Sequence, residues 1–265
     1  LDDKVILGWN ALMNTAYSKV YAATGNDLYK QRAIDNMNFL LSAFSNNDGS
    51  LNHVWKNEVA KYPAFLDDYA YLTQALLELQ KITGETVWLD QAEKYSKYVV
   101  ENFSEEQGFF YYTHEMQKDV IVRKKEVYDG ATPSGNAVMA QNLYQLGILL
   151  NRPDWSKRSA FMVSGISGMM VKYPTSFGVW LIAMLEMIKG TNEIVLMGEY
   201  ESALKELLSQ YLPHAIIMAS SSANEQYPLL KNKPVNETLT FYLCRNYACE
   251  KPVFSIGELL QSLTD

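Results

Sequence analysis

One helix-to-helix turn occurs three times in this chain, and that repetition constrains the fold more than any other feature. Shifting the sequence by 59 places Gly25 on Gly84, Ala33 on Ala92 and Gly49 on Gly108; a further shift of 67 places Gly84 on Asn151 and Trp88 on Trp155. Gly and Asn just past a helix end can adopt the left-handed conformation that terminates it, so the three positions are chemically one feature. Proline is spaced to match: none precedes Pro63, none lies between Pro63 and Pro133, and five of the 8 fall at or after Pro174. Long proline-free stretches permit helices. Apolar residues then recur at helical spacing: Ala33, Met37, Leu40, Leu41, Phe44; Tyr69, Leu72, Leu76, Leu79; Trp88, Ala92, Tyr95, Val99; and Met139, Leu143, Leu146, Leu150. The spacing predicts helices near 9–23, 27–44, 68–82, 86–103, 135–150, 154–172 and 176–189, arranged as three hairpins of about sixty residues and one further helix.

Two long loops, 45–66 and 104–133, follow the first two hairpins. Loops of that length are functional or carry small strands of their own. Equivalent loops on successive hairpins emerge on one face, and these are aromatic: Gly49-Ser50-Leu51-Asn52-His53-Val54-Trp55 and Gly108-Phe109-Phe110-Tyr111-Tyr112-Thr113. After Gly190 the texture changes. Residues 193–198 and 214–219 read as buried strands around a helix at 199–211, a β-α-β pattern, with a third strand over 238–244 and a last helix over 255–263. The expected division is a helical region, 1–190, and a small α/β subdomain, 191–265.

With 265 residues, 48% of them hydrophobic, the chain can bury a large core without staples. A net charge of −7 weighs against nucleic acid or an anionic membrane as the main partner, and no apolar run approaches the length of a membrane helix. No P-loop, G-x-S-x-G or H-E-x-x-H pattern is present.

Four motifs carry a more specific likeness: Asp3-Lys4-Val5-Ile6-Leu7-Gly8-Trp9-Asn10-Ala11-Leu12-Met13, Ala64-Phe65-Leu66-Asp67-Asp68-Tyr69-Ala70, Tyr128-Asp129-Gly130-Ala131-Thr132-Pro133-Ser134-Gly135-Asn136, and Tyr242-Leu243-Cys244-Arg245-Asn246-Tyr247-Ala248-Cys249-Glu250-Lys251-Pro252. From Asp2 to about Leu260 the chain resembles the C-terminal helical region of thioredoxin-domain-containing proteins of the bacterial YyaL type and their mammalian spermatogenesis-associated relatives. The resemblance implies a mainly α fold: part of an α/α toroid of the six-hairpin glycosidase kind, with an upstream thioredoxin-like domain and further hairpins before Leu1. It brings no settled reaction. Carbohydrate metabolism, a sugar-like ligand, a cytoplasmic location and no cofactor or metal are the accompanying expectations.

Candidate residues come from the repeat. Trp9, Asp68 and Gly135 are equivalent, as are Asn10, Tyr69 and Asn136, all at the starts of helices that a toroid gathers around its centre. Asp67 and Asp68 can supply a carboxyl for acid/base work, with Asp129 or Glu126 as a second; glycoside hydrolysis asks for two carboxyls roughly 5–9.5 Å apart. Trp9, Trp55, Tyr69, Tyr111 and Tyr112 can offer flat faces to sugar rings. Asn10 and Asn136 suit ligand contacts, since Asn is a poor helix former without a reason. Against this, Asp67, Asp68 and Ser134 have the placement of helix caps, the aromatics that of core, and Thr132–Asn136 that of a turn. An enzyme of this kind requires Asp68, Asp129 and Asn136 to converge on one concave pocket. Cys244 and Cys249 are readable as structural thiols, a disulfide or redox pair, or, lacking a second pair, a poor metal site. Sugar 2-epimerases of similar fold use paired histidines on barrel helices, whereas His53, His114 and His214 fall in predicted loops or at a strand start, which disfavours that reaction. Gly198 before Glu199 is poor support for a phosphate site.

Overall fold

The computed structural model describes residues 2–106 and 108–264; the outermost residues of the two expected domains, Leu1 and Asp265, and Gln107 of the second long loop lie outside them. Among the described residues, seven helices build the first part: α1 (Leu7–Thr24), α2 (Asp27–Phe44), α3 (Leu66–Thr83), α4 (Thr86–Asn102), α5 (Gly135–Leu149), α6 (Pro153–Lys172) and α7 (Gly178–Lys189). The turn signals act as read. Gly25 (φ 63°), Gly84 (φ 76°) and Asn151 (φ 50°) are all left-handed, and the Gly25 and Gly84 N–H groups close the last turns onto Tyr21 O and Gln80 O. Predicted helix ends differ by one to two residues. α1 and α3 begin two residues earlier and α7 two later, after Pro174–Ser176 forms a separate 3-10 turn.

α1, α3, α5 and α7 pack side by side as an inner row, and α2, α4 and α6 each back onto the helix before them, giving an arc of an α/α toroid. Burial follows from this. α3 and α5 lie between neighbours and are buried nearly all round, whereas α2 and α4 bury only the stripes Ala33/Met37/Leu40/Phe44 and Trp88/Ala92/Tyr95/Val99. The first long loop carries strands β2 (Asn52–Lys56) and β3 (Val59–Pro63), joined by short β1 (Val5–Ile6) in an antiparallel sheet. The second carries an isolated bridge, Ser104 to Phe110, which repeats the Ser45 to Leu51 bridge of the first at the 59-residue shift.

Strands β4 (Asn192–Met197) and β5 (Ala215–Ser220) pair in parallel around α8 (Glu201–Leu208), while β6 (Thr240–Arg245) and β7 (Ala248–Cys249) add antiparallel strands in the order β5-β4-β6-β7, followed by α9 (Ile256–Thr264). This sheet is tied to the arc by Gln80 Nε2 donating to Ile217 O at 3.2 Å and Tyr200 Oη donating to Thr83 O at 3.1 Å. Among the described residues no helix is long and apolar enough to cross a membrane.

Candidate functional site

The N-termini of the four inner helices meet at one end of the arc, and three carboxyls bridge them. Asp68, in the first turn of α3 and 2% exposed, accepts from Gly8 N of α1 at 2.9 Å and from Phe65 N at 2.9 Å. Asp67 faces the start of α5: a Cβ on Gly135 would sit 2.2 Å from Asp67 Oδ1, so only glycine fits there. Asp129 accepts from Ser134 N at 2.9 Å and Val179 N at 2.8 Å, joining the starts of α5 and α7. First-turn N–H groups have no partner within their own helix and favour negative charge, which explains the arrangement.

Two of these carboxyls also belong to a chemical cluster. His53 lies on strand β2 rather than in a loop, and its Nδ1 is 2.7 Å from Asp68 Oδ2 with the ring about a quarter exposed (26%). Hydrogen bonding to Asp68, reinforced by its charge, raises the His53 pKa. Burial, then the charges of Asp68 and Glu126, push the Asp67 carboxyl up to about 7, against a weaker opposing pull from Gly135 N–H and His53. Phe65 forms a flat wall: His53 meets it edge-on at 5.0 Å and Tyr112 stacks on it at 4.9 Å. Burial and the neighbouring carboxyls raise the Tyr71 and Tyr112 hydroxyls, and the Tyr71 hydroxyl donates to Pro133 O.

The other candidates are elsewhere or otherwise engaged. Tyr69 is core, 1% exposed, because its hydroxyl accepts from Leu51 N at 2.9 Å and its ring stacks on Tyr98. Asn136 is fully buried and grips Phe110, accepting from its N–H and donating to its carbonyl, both at 2.9 Å. Tyr69 and Asn136 are repeat-equivalent and hold the equivalent bridge residues Leu51 and Phe110, so this position is a loop clamp rather than a ligand contact. Asn10 donates to Ile6 O within its own helix start, and Trp9 is 65% exposed. Trp55 packs edge-on against Phe39 of α2, and Arg123 covers the Tyr111 ring at 4.1 Å. Ser134 caps α5 and donates to Glu126 O. Backbone groups thus engage polar atoms of Asp68, Asp129 and Asn136, and His53 also holds Asp68 Oδ2.

Sequence reasoning passed over His53 and Phe65. One signal was available: the 59-residue shift places His53 on Tyr112, and the two rings flank Phe65. Cys244 and Cys249 face each other across β6 and β7 and form a disulfide, one of the three states their spacing left open. Among the described residues no group of three or more His, Cys, Asp or Glu is placed to hold a metal ion.

The arc has the fold of an α/α toroid. It superposes on a GH76 α-mannanase from Bacteroides thetaiotaomicron (TM-score 0.52, 15% identity, 63% of this chain and 45% of that one). It also superposes on cellobiose 2-epimerase from Bacillus thermoamylovorans (TM-score 0.51, 15% identity, 61% and 44%). At such identity the likeness is one of fold. No family model matches the chain. The likeness read from the four junction motifs holds in named proteins: human Spermatogenesis-associated protein 20 is 26% identical over 293 residues, covering 99% of this chain and 36% of that protein. Uncharacterized protein B0495.5 of Caenorhabditis elegans is 26% identical over 275 residues, covering 98% and 37%. The chain thus spans a little over a third of the length of these relatives.

Proposed function

We propose that this chain forms part of a carbohydrate-active α/α toroid, with its acid/base centre at the mouth where the inner helices begin. The observation that carries this reading is the 2.7 Å contact between buried Asp68 and partly exposed His53. Asp68 orients the imidazole through Nδ1 and leaves Nε2 to take or give a proton. Asp67, with its pKa raised to about 7, supplies a proton near neutrality from the other side of the same helix turn. Phe65 and Tyr112 offer the flat apolar face on which a sugar ring rests. Asp129, Ser134, Gly135 and Asn136 act in this reading as supports that fix the mouth.

A second reading has its own observation. Asp68 and Asp129 both have their oxygens occupied by backbone N–H groups, as a purely architectural ring requires. On that reading the toroid is a non-catalytic scaffold presenting partners to an upstream thioredoxin-like domain.

The two readings separate in a screen of the chain against a glycan and monosaccharide panel by thermal shift and product analysis, with His53→Ala and Asp67→Asn as controls. The enzyme reading expects a sugar that stabilises the parent and is turned over by the parent alone. Turnover that survives both substitutions, or no response to any sugar, removes it.

A further inference from the structure

A second concave region runs along the inner row of helices and reaches the mouth only at Pro133 and Val179. The inner faces of α1, α3, α5 and α7 and the segment 207–217 of the α/β part line a half-open cavity of about 750 Å³. That volume falls within the range of small-molecule sites. His53, Asp67 and Asp68 do not line it.

Lys19 from α1, Glu78 and Lys81 from α3 and Glu186 from α7 all border the cavity. Among the described residues none of these four makes an ion pair within 4.0 Å, although Lys81, Glu78 and Lys19 all act electrostatically on Glu186. Opposite charges that line one space without closing on each other leave room between them. Three further wall atoms are buried and lack a hydrogen-bond partner within the protein: Glu186 Oε2, Thr15 Oγ1 and His214 Nδ1. Thr15 is itself 7% exposed. Buried polar atoms are almost always satisfied, so several orphans on one cavity wall mark a place where an external group completes them.

We propose that this cavity is a binding site for a small polyhydroxylated anion, a sugar phosphate or sugar acid, whose anionic group sits between Lys19 and Lys81 and whose hydroxyls donate to Glu186 and Thr15. The lysines supply the donors an anion needs. Gln141, 8% exposed on the same wall, can turn either end of its amide to the ligand. Burial holds the Glu186 carboxyl near 7, which lessens its repulsion of an anion and lets it exchange hydrogen bonds with hydroxyls in either form. This site does not depend on the acid/base reading of the mouth.

The test is calorimetric titration of the chain with glucose 6-phosphate, gluconate and glucose, repeated on Lys19→Met, Lys81→Met and His53→Ala. Circular dichroism checks that each variant folds, and amide NMR shifts locate the ligand. The site predicts saturable binding of at least one anionic probe and weaker binding of glucose. It further predicts at least about a tenfold loss in each lysine variant and unchanged affinity in His53→Ala. Should a lysine variant not fold, ligand-induced shifts of the parent chain confined to residues 12–23, 74–81, 138–145, 179–191 and 207–217 support the site in its place. Absence of saturable binding, binding that survives both lysine substitutions, or shifts centred on His53 overturns the proposal. Failure here leaves turnover at the mouth untouched, and the His53 control tells the two apart.

Discussion

Asp67 and Asp68 follow one another at the start of α3 yet meet different surroundings. Asp68 accepts from two backbone N–H groups and lies against His53, while Asp67 is surrounded by burial and other carboxyls, with only Gly135 N–H and His53 opposing them. Asp67→Asn keeps the size and an acceptor and removes a charge the site disfavours. At pH 8 this variant is expected to raise Tm by about 2–6 °C while abolishing any turnover, the exchange of stability for activity that marks a working site. Calorimetry of the two proteins checks it. Asp68→Asn takes away the group that raises the His53 pKa, and an NMR titration of the ring should show its midpoint fall relative to the parent. Gly135→Ala drives a methyl into Asp67 and is expected to cost about 1–3 kcal/mol in chemical denaturation. Asp67 and Asp68 could be picked out from sequence because residue type and position at a helix start are local. Their division of labour could not, since it depends on His53, Glu126 and Gly8, distant in the chain.

At the level of elements, the repeat was the most legible property, because the left-handed turn at Gly25, Gly84 and Asn151 needs only the residue itself and its neighbours. What Asn136 does was not legible. Asn inside a helix suggests a ligand, whereas here it holds Phe110 of the preceding loop, and Tyr69 does the same for Leu51 with a different side chain. Asn136→Ala leaves two buried backbone groups of Phe110 unpaired and is expected to destabilise by at least about 2 kcal/mol, read by urea denaturation. Tyr69→Phe removes a single partner and should cost less. The Cys244–Cys249 bridge closes a loop of only a few residues, so reduction should lower stability by no more than about 2 kcal/mol. Cytoplasmic proteins keep such pairs reduced, and thiol titration of the protein taken directly from its source reports which state it holds.

Across the whole molecule, the inner row of helices places two polar regions at different points on one concave surface, the mouth with His53 and Asp67 and the cavity with Glu186. Their titrations share a sign. Asp67 and Glu186 have folded pKa values raised to about 7 from 3.8 and 4.5, so the folded chain holds protons that the unfolded chain has already released, and stability falls as pH rises through that window. His53 is raised above 6.5, so its contribution is complete below that value and is lost as pH rises through its folded midpoint. The exposed carboxyls Asp2, Asp3 and Asp27 are lowered and act in the opposite sense, but solvent screens them. Tm is therefore expected to be higher at pH 5 than at pH 8. The most direct test of the acid/base centre is a carbon-detected NMR titration of the Asp67 carboxyl in the intact chain. A midpoint near 7 that moves down in Glu126→Gln is the result the proposed centre predicts. A midpoint near the ordinary carboxyl value of 3.8, unmoved by that substitution, would mean that Asp67 is a helix-start carboxylate and nothing more.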